Sequence, residues 1–319
     1  MSSPFSLANS KAHQEEYLRW RDAKLARVDS AYKMSPPHFY GIIEEGKSPS
    51  KKELNSIIKQ CDDYSLSVYQ IKDHQSYDID QTKRIILSLA NKLGLNKLDG
   101  NICAGNDSLT SITQTSHAGQ HEYIPYSTKR LSWHTDGYYN LPQNTINSML
   151  LHCAQAAVEG GESKFMDHEI AYILLRDENP DYIRALMQAD VLTIPANILD
   201  GKVIRPAQTG PVFSLNSQGQ LHMRYSARKR NIEWKQDSPT LEAVAFLEKL
   251  FEDDSCQSSS SNSKYIIKHT LKAGEGLICR NVLHCRTAYV DSDNPEKKRL
   301  LFRGRFYDEL PLAVTENNT

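Results

Sequence analysis

The chain has 319 residues, of which 39% are hydrophobic, with 38 Lys and Arg against 39 Asp and Glu. The net charge of −1 gives no reason to expect nucleic acid or an anionic membrane as the main partner. No apolar run is long enough for a transmembrane helix, and the first ten residues lack a signal-peptide pattern. The six cysteines are scattered and contain no CxxC pair. We therefore expect a cytoplasmic protein without a disulfide framework or a structural zinc site.

The pattern divides the chain into a helical N-terminal extension, residues 1–47, and one long domain, residues 48–319. Lys11 to Tyr32 is rich in helix formers, and Pro36-Pro37 would end that helix. We interpret the extension as a helix that packs on the domain or on a second subunit. A regulatory arm is the alternative.

The long domain mixes helical and strand patterns. Helices are expected to begin after the capping residues Ser50 (with Glu53), Asp80, Asp167 and Asn179, and the longest one at Ser238-Pro239. Short apolar runs bounded by turn residues predict strands at 65–71, 109–114, 147–153, 163–166, 191–194, 211–215, 222–226, 265–271, 277–279 and 299–307. The serine-rich segment 253–264 is expected to be a solvated loop. This mixture predicts a mainly β fold, a sandwich or barrel that carries helical insertions.

An imidazole and a carboxylate stand two residues apart, at His134 and Asp136. On an extended strand they would face the same side and could bind one ion. Far downstream, His284 is the candidate third ligand. Two histidines and one carboxylate suit non-haem Fe(II) and leave coordination positions open. Two tyrosines and an asparagine that follow the pair are expected to line a pocket: Tyr138, Tyr139 and Asn140.

Three arginines after His284 would share one face of the last strand: Arg299, Arg303 and Arg305. Buried guanidiniums are costly without anions, and arginine binds carboxylates in a bidentate way. We therefore expect this face to capture carboxylates or a similar anion, with a solvent-facing basic strand as the alternative. A second basic stretch, 221–234, either reaches the same cavity or is an exposed loop; its candidate residues are Arg224, Tyr225 and Arg228.

Over roughly residues 50–310 the sequence resembles the Fe(II)- and 2-oxoglutarate-dependent dioxygenases of the taurine dioxygenase (TauD/TfdA) group. That group includes clavaminate synthase and γ-butyrobetaine hydroxylase. The resemblance rests on Trp133-His134-Thr135-Asp136, Gly160-Gly161-Glu162-Ser163, the segment 274–289 and Arg299 to Arg303. It implies a double-stranded β-helix, or jelly roll, with flanking helices and helical insertions.

The resemblance also implies roles for single residues. The iron ligands would be His134, Asp136 and His284. Ser163 and Arg299 would bind 2-oxoglutarate, Arg303 would contact an acidic group of the substrate, and Arg286 would lie near the iron. Which of Arg299 and Arg303 holds 2-oxoglutarate stays open at this stage.

The implied activity is hydroxylation of an unactivated C–H bond, with O2 and 2-oxoglutarate consumed and succinate and CO2 released. The expected substrate is a small polar molecule that carries a carboxylate, sulfonate or phosphonate. Family members are often dimers or tetramers, so the resemblance allows a homo-oligomer, but the sequence does not fix the oligomeric state. Two alternatives remain: a catalytically silent jelly-roll binding protein, which would produce no succinate, and a metal-dependent isomerase or hydrolase, which would not depend on 2-oxoglutarate.

Overall fold

The computed structural model describes residues 3–8, 10–31, 39–100, 109–114, 124–199, 201–228, 230, 232–252 and 263–313. The expectations for Pro36-Pro37 and most of the serine-rich segment lie outside these residues. Within them there are six α-helices: α1 Lys11–Ala31, α2 Lys51–Tyr64, α3 Ile79–Lys92, α4 His168–Glu178, α5 Pro180–Leu186 and α6 Ser238–Glu252.

The same residues contain 19 strands. They are β1 Tyr40–Ile43, β2 Leu66–Ile71, β3 Thr110–Ile112, β4 Leu131–His134, β5 Ser148–Gln155, β6 Glu159–Gly160, β7 Ser163–Met166, β8 Leu192–Ile194, β9 Asn197–Leu199, β10 Lys202–Arg205, β11 Gln208–Gly210, β12 Phe213–Leu215, β13 Leu221–Met223, β14 Glu233–Trp234, β15 Ile267–His269, β16 Glu275–Cys279, β17 Leu283–Arg286, β18 Tyr289–Val290 and β19 Leu300–Phe306.

Two larger sheets form the frame of the molecule. A six-stranded sheet has the order β1-β2-β16-β5-β19-β3, and a four-stranded sheet has the order β15-β7-β17-β4. Strand β1 runs parallel to β2, whereas the other pairs in both sheets are antiparallel. Smaller ribbons of two or three strands complete the β structure. Among the described residues, the expected combination of several β-sheets with helices is confirmed, and the helices are as large a part of the structure as the strands.

The six-stranded sheet is buried on both faces. Along β5, Met149 belongs to the core shared with helices α4 and α6, whereas Leu150 belongs to the core shared with α2 and α3. Strand β19 alternates in the same way, with Leu301 in the first core and Phe302 in the second. Because alternate residues of a strand share a face, Arg303 and Arg305 lie on the side of Leu301.

Helix starts follow the capping chemistry of the sequence, with two corrections. Ser50 and Glu53 form a complete capping box on α2. The cap of α3 is Asp78, whose side chain accepts from the backbone N–H of Gln81, so the expectation of a cap at Asp80 was wrong. The longest helix among the described residues is α1, with 21 residues, and not the helix that begins at Ser238.

Helix α1 packs on the body of the protein through a buried charge cluster. Lys24 is 1% exposed, and its Nζ lies 2.6 Å from Asp167 Oδ2 and 2.5 Å from Glu169 Oε2. Tyr17 donates from its hydroxyl to Asp177 at 2.7 Å. Asp167 caps the N-terminus of α4, directly after β7, so these contacts attach α1 to one end of the four-stranded sheet.

Three further findings bear on the sequence expectations. Strand β1 lies within the extension expected at residues 1–47, yet it pairs with β2 in the main sheet. Strand β2, expected at 65–71, is buried along nearly its whole length, because its sheet is covered on both faces. No helix of the described residues is long and apolar enough to cross a membrane.

Candidate metal centre and anion site

Two histidines meet where β4 and β17 pair. His134 is the last residue of β4 and lies directly opposite His284 of β17, with 4.2 Å between the ring centroids. We had expected Asp136 to lie on the same extended strand as His134, but it stands in the turn that follows β4. One ligand atom from each of the three side chains nevertheless lies within 4.8 Å of the other two.

Backbone carbonyls fix the tautomers of both imidazoles. Nδ1 of His134 lies 2.8 Å from the carbonyl oxygen of Ser132, and Nδ1 of His284 lies 3.0 Å from that of Val282. Because a carbonyl oxygen only accepts, each Nδ1 carries the proton and donates it. Each Nε2 therefore keeps a lone pair, the state in which histidine binds a metal ion.

Asp136 supplies the negative charge of the cluster. Burial opposes its ionisation, but Arg303, whose Nη1 lies 3.4 Å from Oδ1, holds the pKa of the Asp136 carboxyl well below its usual range. Its Oδ2 is buried and makes no hydrogen bond within the described residues. Burial, followed by the neighbouring His134, lowers the pKa of His284 to about 4. Two imidazole nitrogens and a carboxylate with an unused oxygen form a donor set that fits Fe(II).

A pair of buried guanidiniums forms a second region. Arg286 and Arg299 lie 4.8 and 4.9 Å from the ring centroid of Tyr289, and both are about 5% exposed. Burial, followed by Arg299, lowers the pKa of Arg286 to about 10. Arg286 donates to the carbonyls of Ser127 and Lys129, but its Nε makes no hydrogen bond within the described residues, nor does Nη1 of Arg299.

The Gly160-Gly161 turn and Ser163 border this arginine pair. Ser163 lies opposite Arg286 in the pairing of β7 with β17. A Cβ on Gly161 would lie 3.8 Å from Nε of Arg299, so the turn passes close to that guanidinium. The structure thus brings Ser163, Arg286 and Arg299 to one place beside the strand that carries His284.

Arg299, which directly precedes β19, and Arg303 and Arg305 within it differ in their partners. Arg305 pairs with Asp99 and donates to the hydroxyl of Tyr139 at 2.8 Å, and Arg303 faces Asp136. No carboxylate of the described residues lies within 4 Å of the Arg299 guanidinium. The alternative of a solvent-facing basic strand was wrong, because Arg299 and Arg305 are 5% and 4% exposed.

Of the remaining candidate pocket residues, some lie near the histidine pair and others only support the fold. Tyr138 stands beside His134, with 6.5 Å between the ring centroids, and the Asn140 amide donates to Asn144 in its own turn. Arg224, which we had considered for the cavity, donates to four backbone carbonyls: those of Tyr138, Leu192, Gly210 and Gln208. Tyr225 packs on Trp234 and Phe251, and Arg228 is exposed.

Two contributors to the site were missed in the sequence. Asp99 neutralises Arg305 across 206 residues of chain, and Asn281 binds the backbone of Asp136 across 145. Neither stands in a recognisable pattern with its partner. The only local signal is at Asn281, because asparagine tolerates the left-handed conformation that a tight turn requires, and its φ is +48°.

Comparison with known proteins gives relatives that are named as oxygenases. An Amycolatopsis sp uridine-5'-phosphate dioxygenase is 28% identical over 191 residues, which are 57% of this chain and 62% of that protein. A Streptomyces sp uridine-5'-phosphate dioxygenase is 26% identical over 201 residues, 62% of this chain and 69% of that protein. The match to the Amycolatopsis protein thus spans less than two thirds of that protein's length.

Solved structures share the fold at low sequence identity. An asparagine oxygenase in complex with Fe(II), hydroxyasparagine and succinate is 16% identical with a TM-score of 0.54, covering 76% of this chain and 74% of that one. The non-heme iron oxygenase OrfP, with Fe, succinate and dihydroxyarginine, is 15% identical with a TM-score of 0.57 and covers 81% of each chain. Residues 71–305 match the model of the family described as taurine catabolism dioxygenase TauD, TfdA family. The chain therefore belongs to the taurine catabolism dioxygenase TauD, TfdA family.

Proposed function

We propose that this protein is an Fe(II)- and 2-oxoglutarate-dependent dioxygenase that hydroxylates an unactivated C–H bond of a small polar, anionic substrate. The observation that carries the proposal is the position of the His134, Asp136 and His284 cluster beside two buried guanidiniums with unused hydrogen-bond donors. A metal site explains the first feature, and a bound carboxylate explains the second. The two larger sheets would be the faces of a double-stranded β-helix.

In this proposal His134, Asp136 and His284 hold the iron. Bound Fe(II), with 2-oxoglutarate and O2, would supply the oxidising chemistry that yields succinate, CO2 and a hydroxylated product. The part played by the chain is to hold the ligands in the correct protonation states. The carbonyls of Ser132 and Val282 hold the ring protons on Nδ1, so that Nε2 of each histidine ligand stays unprotonated. Arg303 keeps Asp136 ionised.

We assign the distal carboxylate of 2-oxoglutarate to Arg299 and Arg286, with Ser163 beside them. Arg303 already faces the Asp136 carboxylate, whereas the Arg299 guanidinium has no carboxylate within 4 Å among the described residues. The buried guanidiniums of Arg286 and Arg299 repel each other. One bound carboxylate relieves that repulsion and accepts hydrogen bonds from their unused N–H groups. Arg303 then remains for the anionic group of the substrate.

The nature of the substrate follows from charge and from the relatives. Arg303 makes one long contact to Asp136, and its Nε makes no hydrogen bond within the described residues. Its guanidinium can therefore donate to a second anion. The two dioxygenases aligned above are named for uridine 5'-phosphate, which carries such an anion. We therefore propose a carboxylate, sulfonate, phosphonate or phosphate group on the substrate, with Tyr138 and Asn140 lining the cavity.

The first test is an anaerobic titration of the protein with Fe(II) and 2-oxoglutarate, followed by the visible charge-transfer band of the chelate. We expect a band, and we expect Arg299→Gln to raise the 2-oxoglutarate concentration at half saturation about 10- to 100-fold, because a charge-assisted bidentate contact is lost. The control is Arg84→Gln, which removes an exposed arginine of α3. Metal binding without a band would refute the assignment of 2-oxoglutarate.

Succinate release separates an enzyme from a silent binding protein. The substrate panel contains uridine 5'-phosphate, uridine as its uncharged partner, L-asparagine and L-arginine. Succinate formed in step with one compound would identify the substrate class. A band without succinate for any compound would favour the binding protein. Location in the cytoplasm stays a prediction, and the oligomeric state stays open.

A further inference from the structure

Asn281 is a buried polar residue that the iron, cosubstrate and substrate assignments do not use. It stands in the turn between β16 and β17, three residues before His284, and is 1% exposed. Its φ of +48° lies in the left-handed region, which asparagine adopts more readily than most residues. A strained, buried amide next to a ligand strand needs a physical explanation.

The side-chain amide of Asn281 binds both backbone polar groups of Asp136. Its Oδ1 accepts from the Asp136 N–H at 2.8 Å, and its Nδ2 donates to the Asp136 carbonyl at 2.9 Å. The second Nδ2 hydrogen goes to the carbonyl of Ile146 at 2.7 Å. The partners dictate the orientation of the amide, because an N–H can only donate and a carbonyl can only accept. Of the common side chains of this size, only an amide supplies one acceptor and two donors.

This contact replaces strand pairing at the point where pairing stops. Strand β4 ends at His134, and the last backbone bond of this stretch runs from the N–H of Thr135 to the carbonyl of Tyr225. Asp136 has therefore left the sheet, and its backbone is held by Asn281 instead. A residue outside a strand is no longer held by the hydrogen bonds of the sheet. The two hydrogen bonds from Asn281 therefore determine where the Asp136 carboxylate points.

The following residue leaves no room for a looser arrangement. Gly137 has a φ of +69°, and a Cβ at that position would lie 2.4 Å from Cγ1 of Ile146. The turn after Asp136 is thus packed against the same residue whose carbonyl receives the second hydrogen of the Asn281 amide. Asn281 connects this turn to the strand that carries His284, although the two segments are distant in sequence.

We propose that Asn281 is a positioning residue that sets the Asp136 carboxylate in register with Nε2 of His284, so that metal affinity depends on its amide. The inference rests on the proposed function, since it takes the three side chains as metal ligands. Partners that orient metal ligands typically change affinity 10- to 100-fold when they are removed.

The test compares Mn(II) binding by calorimetry in metal-free protein. Asn281→Gly removes the amide, and glycine adopts the left-handed conformation of this position without strain. We expect the Mn(II) dissociation constant to rise about 10- to 100-fold. The matched control is Ser65→Gly, at the other described non-glycine residue with positive φ; its carbonyl accepts from the Arg280 N–H of the same turn. The control should bind Mn(II) as the wild type does.

A second variant and a spectrum keep the inference testable if Asn281→Gly does not fold. Asn281→Asp keeps the size and one acceptor but loses both donated hydrogen bonds, and it should weaken Mn(II) binding as well. The Co(II) absorption spectrum should change in either variant, since it reports the ligand geometry. A folded variant with lower thermal stability but unchanged Mn(II) affinity and Co(II) spectrum would overturn the inference. Absence of metal binding by the wild type would instead refute the proposed function.

Discussion

Substitution of Lys24 by methionine should weaken the whole fold, although α1 lies outside the two larger sheets. Burial opposes the charge of Lys24, but Asp167 and Glu169 raise its pKa from 10.5 to about 12. At about 1.4 kcal/mol per pKa unit, the charged form is favoured by roughly 2 kcal/mol in the folded state. The variant also leaves two carboxylates without their cation, a loss of about 3–5 kcal/mol for a fully buried pair.

We therefore expect Lys24→Met to lower the free energy of unfolding by about 3 kcal/mol, near the lower end because the Glu169 side chain is 20% exposed. Urea unfolding at neutral pH measures the difference. Lys11→Met is the matched control on the same helix, since Lys11 is 90% exposed, and it should change stability by less than about 0.5 kcal/mol. Because the folded pKa of Lys24 is raised, its contribution is complete below pH 10.5 and disappears as the pH rises through about 12.

A triple variant tests the reasoning itself. Lys24→Met combined with Asp167→Asn and Glu169→Gln removes all three charges, and the asparagine can still cap α4. We expect most of the lost stability to return, because no buried charge is left without a partner. A single Lys24→Met variant within 1 kcal/mol of the wild type would show that the cluster does not hold α1, and the electrostatic argument would be wrong.

Two other predictions concern the strand β16. Gly276→Ala should destabilise the protein by about 1–3 kcal/mol, because the new Cβ would lie 2.3 Å from the buried Tyr69 hydroxyl. The control in urea unfolding is Gly100→Ala, where a new Cβ would meet no atom of the described residues within 4 Å. For Glu275, burial opposes ionisation, but His269 and other hydrogen-bond donors lower its pKa from 4.5 to about 2. Its stabilising effect is therefore present above pH 4.5 and lost as the pH falls toward 2. Glu275→Gln should lose less stability than the wild type between pH 6 and pH 3, and equal losses would contradict the assignment.

Local chemistry in the sequence was enough to predict most helices and many strands. Ser50 with Glu53 marked the start of α2, and the apolar run after Ser163 marked β7, because these signals act within a few residues. The short ribbons β9, β10 and β11 were not predicted, since their sequences carry no alternating pattern. The pairing of His134 with His284 rested on family resemblance, and no periodicity predicts it.

Contacts between distant segments limited the prediction of the site. Arg305 looked like a ligand for an anion, but Asp99 occupies it in the fold. Arg224 looked like a pocket residue, but backbone carbonyls of four other residues hold its guanidinium. Both side chains were correctly recognised as needing acceptors. The identity of the acceptor depends on the tertiary structure, which single-sequence patterns do not contain.

The attachment of α1 has a consequence for synthesis on the ribosome. The hydrogen bond from Tyr17 to Asp177 can form only after the ribosome has added the 160 residues that separate them. At the usual 5–20 residues per second, that interval is roughly 8 to 32 s. During this time the helix has neither the α4 carboxylates for Lys24 nor the core that covers Tyr17 and Val28. The nascent chain therefore exposes these few core side chains of an otherwise polar helix until α4 has emerged, and a chaperone would meet them in that interval.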